Sequence, residues 1–344
     1  MPDRLRAFLS RDLAIDLGTA NTVIRARGAG VVCNEPSVIA LRVDARGRRE
    51  VIAIGRSAKE MLGRTPAGVE VVRPVRDGVI SDFALTAAML RHFIAAAREH
   101  RELMRPRIVI AVPLGITVVE RRAVREAAES AGGREVHLVD QPLAAAIGAD
   151  LPITDAAGSM IVDVGAGTTD VAVLALGGIV CSRSVRIGGD RMDEAIVQHL
   201  KRRYNLLVGE RTAEMVKIAI GSAFAAEEEL VTDVRGRDLV TGLPRTAVVT
   251  ATDVRDAVAE PLRGILDAVR TTLELTPPEL ACDLSDRGIV LAGGGALLGN
   301  LDLLVREETG LPVTLAEDPL GAVALGASRV LEELEVLEAA GAEV

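Results

Sequence analysis

One short pattern occurs twice in this chain and limits the fold more than any other feature. Leu13-Ala14-Ile15 runs into Asp16-Leu17-Gly18-Thr19-Ala20-Asn21-Thr22, and Met160-Ile161-Val162 runs into Asp163-Val164-Gly165-Ala166-Gly167-Thr168-Thr169-Asp170. Each time a buried strand turns tightly, and a second β-like run follows (Val23-Ile24; Val171-Ala172-Val173-Leu174). Glycine lets a backbone come close to a ligand, and successive amide N–H groups in such a turn bind anions. Two such turns facing each other would hold a polyphosphate. Asp16 and Asp163, at the strand ends, would hold the Mg²⁺ that accompanies it.

Around the repeated motif, strand-like runs alternate with helical patterns, which is the signature of α/β architecture. In the first half, Val31-Val32, Val38–Leu41, Val51–Ile54, Ile108–Val112 and Val136–Val139 read as strands, and Leu85–Ala97, Thr117–Ala131 and Pro142–Gly148 as helices. The second half repeats the plan. Helices are expected at Asp190–Tyr204 with Asp190 as N-cap, and at Thr212–Ile220 with Thr212 as cap. Further helices are expected at Val254–Leu275, Leu297–Thr309 and Pro319–Leu337, with strands at Thr246–Thr250, Ile289–Leu291 and Val313–Leu315. Duplication of a whole βββαβα-like unit predicts two similar lobes with a cleft between them, and ligands prefer the crevice at the carboxyl ends of strands.

Composition narrows the function. The 344 residues suffice for two domains with substantial cores. There are four Phe, one Tyr and no Trp, so the core is built from aliphatic residues and no aromatic platform exists for stacking bases. A net charge of −9 gives no overall basic field, and nucleic acid is not expected as a partner. Cys33, Cys181 and Cys282 are scattered, as suits packing residues in a reducing cytoplasm. His92, His100, His137 and His199 share no metal-ligand spacing. No apolar run approaches the ~18 residues of a membrane span, and the N-terminus lacks the apolar stretch of a secretory signal.

Four segments would converge on the cleft: Gly18–Asn21, Gly165–Thr168, the Gly293-Gly294-Gly295 turn after a third strand, and Asp140-Gln141-Pro142 between a strand and a helix. One glycine turn is weak evidence; two equivalent Asp-x-Gly turns with a triple glycine are strong evidence for a phosphate site. With Asn34–Val38, Arg76–Phe83, Pro142–Gly148, Leu176–Val180, Ser182–Ser184, Gly189–Ile196, Gly209–Glu214, Gly293–Leu298 and Asp318–Leu320, the chain resembles the actin, sugar-kinase and Hsp70 superfamily. Within it the chain closely resembles the MreB family of bacterial actin homologues, from about residue 11 to 328.

That resemblance implies an actin-like α/β fold, with duplicated RNase H-like domains flanking a nucleotide cleft and each carrying a smaller subdomain. The expected parts are an amphipathic segment at 1–10, lobe I at 11–148 with a small subdomain at about 33–74, and lobe II at 149–328 with one at about 182–245. A C-terminal helix and tail at 329–344 would pack on lobe I. ATP with Mg²⁺ is the implied ligand, Asp16 and Asp163 holding the ion through water. Backbone at Thr19, Ala20 and Asn21 and at Gly165, Ala166, Gly167 and Thr168 would cradle the β- and γ-phosphates. Glu210, Thr212, Ala213, Glu214 and Lys217 match the helix lining the nucleoside, and Gly294, Gly295, Ala296 and Leu297 would lie along the adenosine and α-phosphate. Phosphoryl transfer needs mostly positioning and charge neutralisation, so such a set suffices for hydrolysis, with Gln141, Asp140, Asp163 and Thr168 as the catalytic candidates. The chain departs from the family at Asp140-Gln141, where Glu-Glu is usual, at Ala166 for glycine and at Asp170 for glutamate. Gln141 holds the water-positioning place; its amide orients a water but cannot take its proton, and actin has a glutamine there.

Two segments are candidates for lipid. Met1, Leu5, Phe8 and Leu9 fall within about 100° of arc on a helix, flanked by Arg4, Arg6 and Arg11. Leu103-Met104 sits among Arg98, Arg101, Arg105 and Arg107. The expectation is a weak ATPase that forms filaments on the inner face of the cytoplasmic membrane and organises the cell-wall elongation machinery. A static ATP-binding scaffold and, more distantly, a sugar-kinase-type phosphotransferase are the alternatives. The nucleotide-binding half of an Hsp70-like chaperone is disfavoured, because no linker or substrate domain follows.

Overall fold

The computed structural model describes residues 11–98, 104–225 and 229–339, without the side chains of 334–339. The chain divides into two compact units. One contains the described residues up to Ala156, Leu174–Ile179 and those from Leu320 onward; the other contains Ala157–Val173 and Val180–Pro319.

The first unit is built on a five-stranded sheet. Its strands are β1 (Leu13–Leu17), β2 (Asn21–Ala26) and β3 (Gly30–Pro36), with β4 (Ile39–Val43), β5 (Arg49–Ile54), helix α1 (Arg56–Met61), β6 (Val69–Val72), β7 (Val75–Arg76), β8 (Val79–Ile80) and α2 (Phe83–Ala97) following before β9 (Arg107–Val112), α3 (Val118–Ser130), β10 (Glu135–Asp140) and α4 (Gln141–Gly148). The sheet order is β10-β9-β1-β2-β3, and β5-β4-β6 form a separate small sheet. β1 lies parallel to β9 and antiparallel to β2, so both its edges are paired and it lies in the middle of the sheet. Its apolar side chains are accordingly all buried, which is why it reads as a continuous apolar run.

The second unit repeats this order. Its strands β11 (Ser159–Val164), β12 (Thr169–Ala175) and β13 (Gly178–Val185) precede α5 (Gly189–Tyr204), β14 (Leu206–Leu207), α6 (Glu210–Ile220), β15 (Val231–Asp238), β16 (Pro244–Thr250), α7 (Ala251–Leu275), α8 (Pro278–Arg287), β17 (Ile289–Ala292), α9 (Leu301–Thr309) and β18 (Val313–Leu315). The main sheet runs β13-β12-β11-β17-β18, the counterpart of β3-β2-β1-β9-β10. The central strand of each sheet therefore carries one of the repeated aspartates as its last residue but one. α7 packs Val254, Val258, Leu262, Ile265 and Val269 into the core.

The terminal helix Ala322–Ala339 packs on α4 within the first unit. The approach is close: a Cβ on Gly326 would overlap the Ala144 carbonyl, and one on Gly148 the Ala322 carbonyl. Arg329 pairs with Asp150 at 2.7 Å at the same junction.

Several local expectations are corrected. The N-cap of α5 is Gly188, not Asp190, and that of α6 is Gly209, not Thr212. Expected helix Leu297–Thr309 is two pieces, a 3₁₀ turn at Gly294–Leu297 and α9, separated by Asn300 at φ +58°. The last helix starts at Ala322, not Pro319, whose carbonyl accepts from Gly293 N at 2.8 Å. Cys33 is buried, but Cys282 is exposed on α8 and packs nothing into the core. The charged strand β15 and the helix α8 were not visible as periodic patterns.

Candidate functional site

In the first unit, β1 delivers Asp16 to its carboxyl end, and Leu17 faces Thr22 across the turn. A Cβ on Gly18 would stand 2.6 Å from the Asn21 carbonyl oxygen, so the turn closes only with glycine there. Ser37, fully buried, fixes the turn from behind: its Oγ donates to Gly18 O at 2.7 Å and its N–H to Ala20 O at 2.9 Å. A peptide unit is planar, with C=O and N–H opposed. Tying those two carbonyls to Ser37 therefore directs the N–H groups of Thr19 and Asn21 away from it, as an anion-binding turn requires. Thr19 Oγ1 accepts from Gly78 N at 3.2 Å, and Asn21 Nδ2 donates to Asn34 Oδ1 at 2.9 Å.

Register explains how Gln141 reaches this place. Asp16 and Asp140 flank β9 at Ala111 and Val112, so both strands end level with each other. Gln141 opens α4 there, buried, and its Nε2 donates to Asp16 Oδ1 at 3.3 Å. Burial pushes the Asp16 carboxyl up to about 6, against the pull of that hydrogen bond. Asp140 is differently occupied: its carboxylate pairs with Arg121 from α3.

The second unit uses the same device with different residues. Asp163 is the last residue but one of β11, and Gly165 N donates to Thr168 O at 2.8 Å to close the turn. The carbonyls of Gly165 and Ala166 accept from Gly189 N at 3.0 Å and Asp190 N at 2.9 Å, at the start of α5. By the same planarity, the N–H groups of Ala166 and Gly167 point away from α5. Thr168 and Asp163 are buried at 8% and 5% exposure. The register Asp163↔Ala292 brings the triple glycine against this turn. At Gly293, φ is +82° and a Cβ would overlap the Asp163 carboxylate and the Val164 carbonyl, so only glycine fits.

Helix α6 carries Glu210, Thr212, Ala213, Glu214 and Lys217. Glu210 is exposed and Thr212 and Glu214 half-buried, while Ala213 belongs to the core. Lys217 turns its ammonium inward, donating to Gly189 O at 2.9 Å and pairing with Asp193 Oδ1 at 2.9 Å. Burial raises the Asp193 carboxyl to about 6, against the opposing pull of Lys217. Of the third turn, Gly294 and Gly295 sit in the 3₁₀ segment, Ala296 is buried in the core, and Leu297 is more than half exposed.

Leu5, Phe8, Leu9 and Leu103 lie outside the described residues. Met104 is exposed, and Arg98 donates to its carbonyl at 3.1 Å. Arg107 is not part of a free basic cluster: Asp12 holds its guanidinium at 3.0 Å. Sequence reasoning missed Ser37, Arg121 and Asp193. Ser37 was visible only inside a longer motif, and nothing in the spacing of Arg121 or Asp193 announced its partner. Among the described residues no group of three or more His, Cys, Asp or Glu could hold a metal, and no helix is long and apolar enough to cross a membrane.

Comparison with known proteins places these observations. The family model described as MreB/Mbl protein matches residues 10–339. The cell shape-determining protein MreB of Escherichia coli (strain K12) is 53% identical, covering 98% of this chain and 97% of its own. MreB5 of Spiroplasma citri bound to AMPPNP superposes with a TM-score of 0.90 at 34% identity, covering 96% of this chain and 98% of that one. The MamK double helical filament gives 0.80 at 25% identity, covering 94% and 99%. The fold is thus actin-like α/β, and the chain belongs to the MreB/Mbl family of cell shape-determining proteins.

Proposed function

We propose that the chain binds ATP with Mg²⁺ through its two repeated turns, hydrolyses it slowly, and assembles into membrane-associated filaments that organise cell-wall synthesis. The observation that carries this reading is the shared construction of the turns. In each, two carbonyls are tied back by the scaffold and the intervening N–H groups point the other way. The solved structure of MreB5 with AMPPNP supports a nucleotide as the ligand, and the MamK filament supports self-association.

The residues fit the proposed ligands. The glycines leave the backbone bare, and the acidic groups are hard oxygen donors. Among the described residues no group of three or more carboxylates gathers into an all-protein cage, so Asp16 and Asp163 would hold Mg²⁺ through water. The ion would neutralise charge on the phosphates. Thr19–Asn21 and Gly165–Thr168 bind the β- and γ-phosphates by backbone N–H. Glu210, Thr212 and Glu214 line the nucleoside, and Gly294–Leu297 its α-phosphate side. Gln141, anchored beside Asp16, orients the attacking water.

A static ATP-binding scaffold is the second reading, favoured by one observation. With Asp140 paired to Arg121, the side chain beside Asp16 is an amide, which takes no proton from water. Light scattering with ATP and Mg²⁺, read beside phosphate release, tests both. Assembly with slow release supports the first reading, and assembly with no release supports the second. The absence of any assembly would refute filament formation.

For the membrane, exposed Met104 beside Arg105 supports insertion of that loop together with the 1–10 segment. The inner face of the cytoplasmic membrane is the proposed location.

A further inference from the structure

Lys217 has a second place in the molecule besides the nucleoside helix on which it stands. The peptide unit joining Gly189 to Asp190 is held at both ends. Its carbonyl accepts from Lys217 Nζ at 2.9 Å, and its N–H donates to Ala166 O at 2.9 Å. A peptide polarised by a cation at its oxygen donates more strongly from its N–H. The preceding N–H, of Gly189, donates to Gly165 O at 3.0 Å.

Two further facts make the arrangement specific. Asp193, one turn along α5 and nearly inaccessible, pairs with the same ammonium at 2.9 Å and fixes where it can stand. Gly188 has no room for a side chain, since a Cβ would lie 2.5 Å from Gly165 O and 2.6 Å from Ala166 O. The start of α5 and the turn 165–168 are therefore in direct backbone contact.

We infer that Lys217 and Asp193 are positioning residues: through the Gly189–Asp190 peptide they hold the turn 165–168 in the geometry that receives the terminal phosphates, and so link that turn to helix α6. This rests on the proposed role of the turn in binding ATP. It differs from a direct nucleoside contact in what it predicts. A nucleoside contact serves ADP and ATP equally, whereas loss of turn geometry weakens the triphosphate more.

The test compares the full-length chain with Lys217→Met and Asp193→Asn, by titration with AMPPNP and with ADP in Mg²⁺, and by hydrogen exchange without nucleotide. Lys217→Met is expected to weaken AMPPNP about tenfold, the size of one charge-assisted hydrogen bond, and ADP about twofold or less. Exchange in peptides covering 163–170 is expected to rise, with α7 unchanged. Equal losses for the two nucleotides, or unchanged exchange at 163–170, overturn the inference. If Lys217→Met fails to fold, Asp193→Asn decides by the same criteria. A wild-type chain that binds neither nucleotide refutes the ATP reading itself, while the exchange result still decides whether Lys217 holds the turn.

Discussion

Gln141 Nε2 donates to Asp16 Oδ1 at 3.3 Å, joining the first residue of α4 to the end of the central strand of its sheet. The contact exists because β1 and β10 both pair with β9 and end level with each other. It puts an amide, already held in place, beside the carboxylate proposed to face Mg²⁺.

The first prediction follows from that contact. Gln141→Ala removes the group that orients the attacking water and leaves both phosphate turns intact. Phosphate release from assembled protein should fall about a hundredfold, in the range of one positioned catalytic side chain, with AMPPNP affinity within about twofold of wild type. An unchanged rate would exclude Gln141 from catalysis.

Asp16 makes a second prediction, in which function and stability oppose each other. Its native pKa, about 6, lies above the 3.8 of an ordinary aspartate, so between those values the folded state holds a proton the unfolded state has lost. Stability from this group therefore falls as pH rises from about 4 to 6, and the penalty is full above pH 6. Without nucleotide or Mg²⁺, Asp16→Asn should melt higher than wild type at pH 7.5, by about 1.5 °C for each ~1 kcal/mol relieved. The gap should narrow at pH 5, and the variant should gain no stabilisation from ATP with Mg²⁺. A variant melting lower than wild type at pH 7.5 would contradict the burial argument.

The glycine contact between α4 and the terminal helix gives a third. Gly326→Ala drives a methyl into the Ala144 carbonyl with backbone on both sides. It should cost about 3 kcal/mol in urea unfolding, the upper end of ordinary overpacking. Gly178→Ala, where a Cβ meets nothing within 4 Å, should leave stability within about 0.5 kcal/mol. Equal effects at both positions would show that the helices move apart at little cost.

A fourth concerns lipid. Deleting residues 1–9 together with Leu103→Ser and Met104→Ser should abolish co-sedimentation with anionic vesicles. Arg107→Gln should instead lower the melting temperature and leave vesicle binding in place, because Asp12 already holds that guanidinium. Retained sedimentation of the first variant would remove both segments from the membrane contact.

Much of this molecule was legible in the sequence because its strongest signals are local. The two Asp-x-Gly turns mark the ends of β1 and β11, and the short strand Val313–Leu315 has the limits its sequence predicts. What stayed hidden depends on partners distant in sequence. β15 is a charged strand with few buried positions, so its alternation is faint, and it is defined by pairing with β14 and β16. Residue type alone makes Asp190 a cap, yet the close approach of Gly188 to Gly165 and Ala166 puts the cap two residues earlier. The Lys217–Asp193 pair spans two helices, and no spacing rule within either one predicts it.

The most direct test of the account is electron microscopy of the purified full-length protein on anionic lipid with Mg²⁺, comparing ATP with no nucleotide. Membrane-bound filaments are expected with ATP, and none without nucleotide or with Asp16→Asn. Filaments that form equally in all three conditions would contradict a nucleotide-governed polymer, and so would their absence with ATP.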